Sequence, residues 1–481
     1  MRRIWQRAAM GSVLVLALIT AGCASVGPDY HAPKTAPADL KGLDPALEST
    51  ERFQARWWKQ FGDPTLDTLV RQAMANNLDV RVALARLAAS RARLGGARAD
   101  QWPTVEASAN YTRSHGQQPG FTSQRVFVSR YEAGFDASWE LDLFGRVRRS
   151  VEAANADLQA ERARLQAVQV SLMAEVARNY FDLRGTQLRL TIARRGVDNQ
   201  RETLKLTRAR ASIGSGSEQD VASATARLSA VKAQLPLLRI RARASEYRIA
   251  VLLGVRPGDL DIDLSPRSFH PIDMTLPIGR ARDVLARRPD VRIAERRLAA
   301  ASARIGVAKA DFYPRISLGG FIGFLSGRSS DFGSADSRAW SFTPSISWTG
   351  LDWARVSARL NVRRSDAKAE LAQYRQTVLL ALEDIDNALV GFNQQRARVK
   401  DLMDQSRYSQ RAVDIARARY EGGAVDFLRL LDAQRTALAA DDDLARAETA
   451  VNTQAVAVYK ALGGGWQACG DARCTALSAN P

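Results

Sequence analysis

The sequence predicts an α+β membrane protein built from two internal repeats, each a β-hairpin that runs into a very long helical hairpin. Three observations predict it. One 29-residue stretch occurs twice, two pairs of segments alternate apolar and polar residues, and two long stretches are almost free of helix breakers.

The duplication sets the frame. Residues 77–105 (NLDVRVALARLAASRARLGGARADQWPTV) recur without a gap at 288–316, with Asp79 on Asp290 (290 − 79 = 211). Arg81/Arg292, Arg86/Arg297, Leu87/Leu298, Arg93/Arg304, Gly95/Gly306, Asp100/Asp311 and Pro103/Pro314 all match in that register. A shared register over so many positions marks an internal repeat. Each copy reads as an Ala/Arg-rich helix closed by Asp, an aromatic residue and Pro. Ahead of the first copy, Trp57-Trp58-Lys-Gln-Phe61-Gly-Asp63-Pro64 opens a helix, with Asp63 as N-cap and Pro64 in the first turn.

After each Pro the period becomes two. Val105, Ala107, Ala109 and Tyr111 alternate with polar residues, and Tyr131, Ala133, Phe135, Ala137 and Trp139 alternate with residues that include Glu132, Asp136 and Glu140. The second copy offers Ile316, Leu318, Ile322 and Phe324 going out, then Phe342, Ile346 and Trp348 returning. Alternation with one apolar face predicts antiparallel hairpins. No other strand-rich segment exists to cover that face, and a barrel wall against lipid needs no cover. Tyr131, Phe135, Ile316, Ile322 and Trp348 are therefore expected at lipid or its interfaces, with Asp136 facing a lumen.

Each hairpin leads into a long helix. From Gly145 to Ala211 there is no Pro and little Gly, and about 65 residues at 1.5 Å each span roughly 100 Å. Val151, Leu158, Leu165 and Leu172 recur every seven residues, as do Leu371, Val378, Ile385 and Phe392, a coiled-coil pattern. The helices turn back at Ile213-Gly214-Ser-Gly216-Ser and Tyr420-Glu-Gly422-Gly423-Ala-Val, where Gly fits a C-cap and Ser217 or Asp426 the next N-cap.

The N-terminus carries Arg2, Arg3 and Arg7, a short apolar core at Val13–Ile19, and Thr20-Ala21-Gly22-Cys23. This is a signal peptide, set aside from fold reasoning. Its ending resembles a lipoprotein box that makes Cys23 the lipidated first residue, although Thr20 stands where Leu is usual. Ala24, rather than Asp, at mature position two favours the outer membrane. Residues 23–55 then form a lipidated extended segment. The remaining cysteines, Cys469 and Cys474, can close a small loop in an oxidising compartment.

Composition excludes more than it assigns. Net charge is +18, which raises nucleic acid as a partner, but the Arg residues are spread along helices beside Glu and Asp and read as solvated helix surface. His31, His115 and His270 lie far apart in sequence and offer no metal-ligand spacing. No phosphate loop or nucleophile elbow is present, so the sequence is read as no enzyme and as needing no cofactor.

The lipid Cys, Val26-Gly27-Pro28-Asp29-Tyr30, the Trp57–Pro64 motif, the paired hairpins and the Gly turns resemble the outer membrane factor family, the TolC-like and NodT-type lipoproteins of tripartite efflux pumps. Ser347-Trp348-Thr-Gly350-Leu-Asp352-Trp353 departs from that family's strand-to-helix junction. Four strands cannot close a barrel alone, and dimer or trimer would both give an allowed count. The resemblance implies the trimer: a twelve-stranded outer-membrane barrel continuing into a periplasmic α-helical barrel. It implies an exit duct for small molecules that works with a periplasmic adaptor and an inner-membrane pump of the RND type. A type I protein-secretion channel and a basic coiled-coil lipoprotein are the alternatives.

The expected organisation is a signal peptide at 1–22, the lipidated segment at 23–55, repeat one at 56–256, a linker at 257–278, repeat two at 279–462 and a tail at 463–481. The hairpins are expected at about 103–140 and 314–350, and the tips at about 212–217 and 420–426. The resemblance also implies a periplasmic gate. Leu428 and Asp432 match its closing rings, Arg435 and Tyr420 match residues that bond tip helices together, and Asp220 matches an acidic gate position. Gly214, Gly422 and Gly423 form the tip turns. Leu428, Asp432 and Arg435 share one helical face at i, i+4 and i+7.

Overall fold

The duplicated residues Asn77 and Arg288 each pin the start of one helix to the end of another. In this computed structural model, which describes residues 25–33, 54–117, 123–267, 271–272 and 281–467, the elements are short helix α1 (Pro64–Asn76), α2 (Leu78–Ala99), strands β1 (Thr104–Gly116) and β2 (Val126–Leu141), and long helices α3 (Arg146–Ser212) and α4 (Glu218–Leu252). The second copy follows as α5 (Ala281–Arg287), α6 (Pro289–Ala310), β3 (Arg315–Ser326), β4 (Arg338–Ser347), α7 (Trp353–Glu421) and α8 (Phe427–Ala461). Residues 1–24, with Cys23, and 468–481, with Cys469 and Cys474, lie outside the described residues, as does His270.

The chain divides into two compact units. The first holds residues up to 34, 86–162 and 293–376. Its four strands form one antiparallel sheet in the order β1-β2-β3-β4, so the two repeats join through β2 and β3, with Phe135 opposite Ile322 and Leu141 opposite Ile316. One face carries Val105, Phe135, Ile322, Trp340, Phe342 and Ile346, all exposed. The other carries Glu106, Ser108, Glu132, Asp136 and Ser138, with Ser108 donating to Asp136 at 2.8 Å. The second hairpin differs in two details from the expected alternation. Its return strand begins at Arg338 and includes the exposed Trp340, and it ends at Ser347. Trp348 lies beyond it and donates its indole N–H to the Phe312 carbonyl at 3.1 Å. Gly350 sits beneath that indole, which turns the chain toward α7.

Val26-Gly27-Pro28-Asp29-Tyr30 is an arm docked on this unit. The Val26 N–H donates to the Phe144 carbonyl at 3.1 Å, the buried Arg149 guanidinium meets Asp29 at 2.7 Å, and the Tyr30 hydroxyl donates to Glu295 at 2.6 Å. Gly27 adopts φ 112°, and a Cβ there would lie 2.5 Å from the Gly306 Cα. Only glycine meeting glycine permits that crossing.

The second unit holds residues 35–85, 163–292 and 377 onward. Its core explains the Trp57–Pro64 motif. The Trp57 ring stacks on Tyr459 at 5.0 Å, and the Trp58 indole donates to Asp67 at 2.9 Å. Asp63 caps α1 through the Thr65 and Leu66 N–H groups and accepts from the Tyr180 hydroxyl. Burial, more than that bond to Asp63, pushes the Tyr180 hydroxyl up to about 12. The heptad residues Leu172, Ile385 and Phe392 are buried here. Asn77 donates to the Leu252 carbonyl at 2.9 Å, and Arg288 to the Ala461 carbonyl at 2.7 Å. Each of those helices ends on a left-handed glycine, Gly254 or Gly463. Arg288 is buried and also meets Asp290 at 2.6 Å and Asp384 at 3.1 Å. No helix among the described residues is long and apolar enough to cross a membrane.

Candidate functional site

The site of interest is the pair of turns that close the helical hairpins, both in the second unit. α3 ends at Ser212, Gly214 takes φ 72°, and the Ser215 N–H returns to the Arg210 carbonyl at 2.9 Å. α7 ends at Glu421, Gly423 takes φ 74°, and the Ala424 N–H returns to the Arg419 carbonyl at 2.8 Å. Both are Schellman-type closures. Gly422 is not in the left-handed region, so in the second turn only Gly423 is required by backbone geometry.

Capping then restarts the chain. Ser217 accepts from the Asp220 N–H at 3.1 Å, while Asp220 accepts from the Ser217 N–H at 3.2 Å, a reciprocal capping box. Asp426 caps α8 through the Arg429 N–H at 3.0 Å. Below the turns, Val197 and Leu204 of α3, Leu228 and Val231 of α4, Tyr420 of α7, and Phe427 and Leu430 of α8 make one buried cluster.

α8 has two faces here. Phe427, Leu430, Gln434 and Ala437 are buried, whereas Leu428, Asp432 and Arg435 point away, with Leu428 58% exposed. Arg435 meets Asp432 at 2.7 Å. Asp220 is half-buried and engaged in its cap. The two gate roles implied for Arg435 and Tyr420 therefore separate. Within this chain Arg435 bonds Asp432 of its own helix, and it is Arg210 that ties α3 to Tyr420. Its guanidinium donates to the Tyr420 carbonyl and lies over the Tyr420 ring at 4.6 Å. A second tie is buried: Gln200 donates to Gln434 at 2.9 Å, and Gln434 donates to Thr203 at 2.9 Å. Sequence reading missed Arg210, Gln200 and Thr203. The available signal was that Arg210 and Arg419 occupy the same place before the two turns. Among the described residues no three His, Cys, Asp or Glu side chains gather in a way that could hold a metal ion.

A four-stranded sheet with an exposed apolar face, joined to long hairpins with capped tips, defines a subunit of a membrane channel with a helical conduit. The comparisons place it. The outer membrane efflux protein family matches residues 69–255 and 281–464. The chain is similar to the outer-membrane channel OprN, with 48% identity and a TM-score of 0.90 over 92% of this chain and 100% of that one. It is 33% identical to the pyoverdine export outer membrane protein OpmQ of Pseudomonas putida over 86% of this chain and 88% of that protein. It also resembles the open state of the Neisseria gonorrhoeae MtrE outer membrane channel, at 31% identity and a TM-score of 0.83 over 92% of this chain and 99% of that one. The chain belongs to the outer membrane efflux protein family.

Proposed function

We propose that three copies of this chain form an exit duct that passively carries small molecules out of the cell, coupled through a periplasmic adaptor to an inner-membrane pump of the RND type, and closed at rest by its tips. The observation that carries the duct is the sheet. Its edge strands β1 and β4 have no further partner among the described residues, and its apolar face has no cover. An edge left open is a template for another strand, and β1 of one copy beside β4 of the next closes a barrel without edges. Small-molecule cargo is favoured over protein secretion, because OpmQ is named for pyoverdine export and the TtgC relative of P. putida for toluene efflux. No catalytic step enters this reading.

The gate is the exposed face of α8. Three copies of Leu428 would bring apolar side chains to one axis and three of Asp432 an anionic ring, with Arg435 positioned to bond across copies once released from Asp432. An exposed ion pair of this kind is worth about 0–1 kcal/mol, so exchanging partners costs little. Single-channel conductance of the purified protein in planar bilayers tests the gate. Replacing Leu428 with Ala, Asp432 with Ser and Arg435 with Ala together should raise resting conductance several-fold with oligomer yield unchanged. A triple variant that conducts like the parent would put the constriction elsewhere.

A further inference from the structure

Farther from the turns, α3, α4 and α8 line a cleft of about 620 Å³ within the second unit. Five guanidinium groups line it, from Arg189, Arg227, Arg241, Arg435 and Arg446, against the carboxylates of Asp442 and Asp443. The pairing is uneven. Asp442 takes Arg189 in a fork at 2.6 and 3.2 Å and is shared with Arg446. Arg435 leans on Asp432. Among the described residues Arg227 and Arg241 have no carboxylate partner, and the Arg227 Nε is buried without a hydrogen-bond acceptor.

Arg227 is half-buried and Arg241 exposed at the mouth of the cleft. Burial, followed by the positive charge of Arg435, holds the Arg227 guanidinium below its ordinary range, although Arg435 itself is paired with Asp432. Guanidinium forks match phosphate and carboxylate oxygens in pairs, which makes an anion the natural complement.

We propose that this cleft is a binding site for an elongated polyanion bearing phosphate or carboxylate groups, with Arg227 and Arg241 as its principal ligands and Arg435 as a third. The spacing sets the shape of the ligand. Arg227 and Arg241 are fourteen residues apart on one helix, about 21 Å along its axis, so a single small ion cannot bridge them. A ligand with several charges in a row can meet Arg227 and Arg435 at one end and approach Arg241 at the other. This inference does not rest on the gate reading: its principal ligands, Arg227 and Arg241, belong to α4 and carry no gate role, and the test is read on them rather than on Arg435.

Isothermal titration of the full-length protein in detergent, at fixed ionic strength, provides the test, with a linear polyphosphate long enough to span the cleft and a polyglutamate of matching length as probes. One saturable site per chain is expected for at least one probe, and which probe binds tells phosphate from carboxylate recognition. Arg227→Gln and Arg241→Gln should each weaken binding at least tenfold. Arg227→Lys, which keeps the charge and loses the fork, should fall between. Arg201→Gln removes a charge on α3 whose partner is the exposed Asp198, and should bind like the parent. Thermal unfolding of each variant establishes that it is folded, and Arg227→Lys with Arg241→Gln carry the test if Arg227→Gln is not. Failure of both probes to saturate, or an equal loss in Arg201→Gln, would overturn the proposal and leave only a diffuse electrostatic attraction.

Discussion

Gly95 and Gly306 occupy the same position in the two copies and meet different surroundings. A Cβ on Gly95 would touch nothing within 4 Å, whereas one on Gly306 would lie 2.7 Å from the Arg149 Cγ and 3.0 Å from the Val26 carbonyl oxygen. The helix supplies the sign for the first. Gly in a helix interior costs roughly 0.5–1 kcal/mol relative to Ala, so Gly95→Ala should raise the thermal midpoint slightly. Gly306→Ala should lower it, at about 1–3 kcal/mol for overpacking, and should release residues 25–33 to limited proteolysis. Equal midpoints for the two variants would mean that the arm does not seat as described. The sequence alignment of the repeats made the two glycines visible as a pair. It could not show which one is required, because the arm that crosses Gly306 comes from some 280 residues earlier in the chain.

At the scale of elements, strand alternation was legible because the side-chain period in a pleated strand is two, whatever the partner. The strand register places Phe135 against Ala107 and Ile322 on one face and Asp136 against Glu106 and Phe321 on the other. A charge on the lipid face costs roughly 2–4 kcal/mol at the bilayer midplane. Phe135→Arg should therefore reduce assembled oligomer, scored on gels without boiling, well below Asp136→Arg. Similar yields would show the wrong face to be toward lipid. Strand ends were less legible than strand faces. Trp340 precedes the residues where the alternation is evident, and Trp348 continues the pattern by one step although Ser347 is the last paired residue. The tip was legible in its caps, since Gly and Ser or Asp at those positions act locally. Its cross-ties were not. Arg210 and Tyr420, like Gln200 and Gln434, are more than 200 residues apart in sequence, and no local pattern specifies such a meeting.

At the scale of the whole molecule, the single chain leaves surfaces unpaired. Two sheet edges and an uncovered α8 face ask for further copies, and native mass spectrometry of the detergent-solubilised mature protein should report three chains, each with a diacylglyceryl group on Cys23. Any other stoichiometry, or an unmodified N-terminus elsewhere, would contradict the assembly proposed above. The seating of the arm adds a consequence for depth. Only Ala24 and Ser25 separate Cys23 from Val26, whose N–H is fixed to the Phe144 carbonyl, so the Cys23 backbone can lie no more than about 14 Å from that carbonyl. Around this level, where β2 and β4 end and β1 and β3 begin, stand Trp102, Trp139, the Phe144–Tyr313 stack and Trp353, side chains that favour the border between hydrocarbon and water. With the lipid on Cys23 as proposed, the anchor and the aromatic residues would read the same waterline, and the arm would work as a plumb line that sets how far the protein sinks into its bilayer.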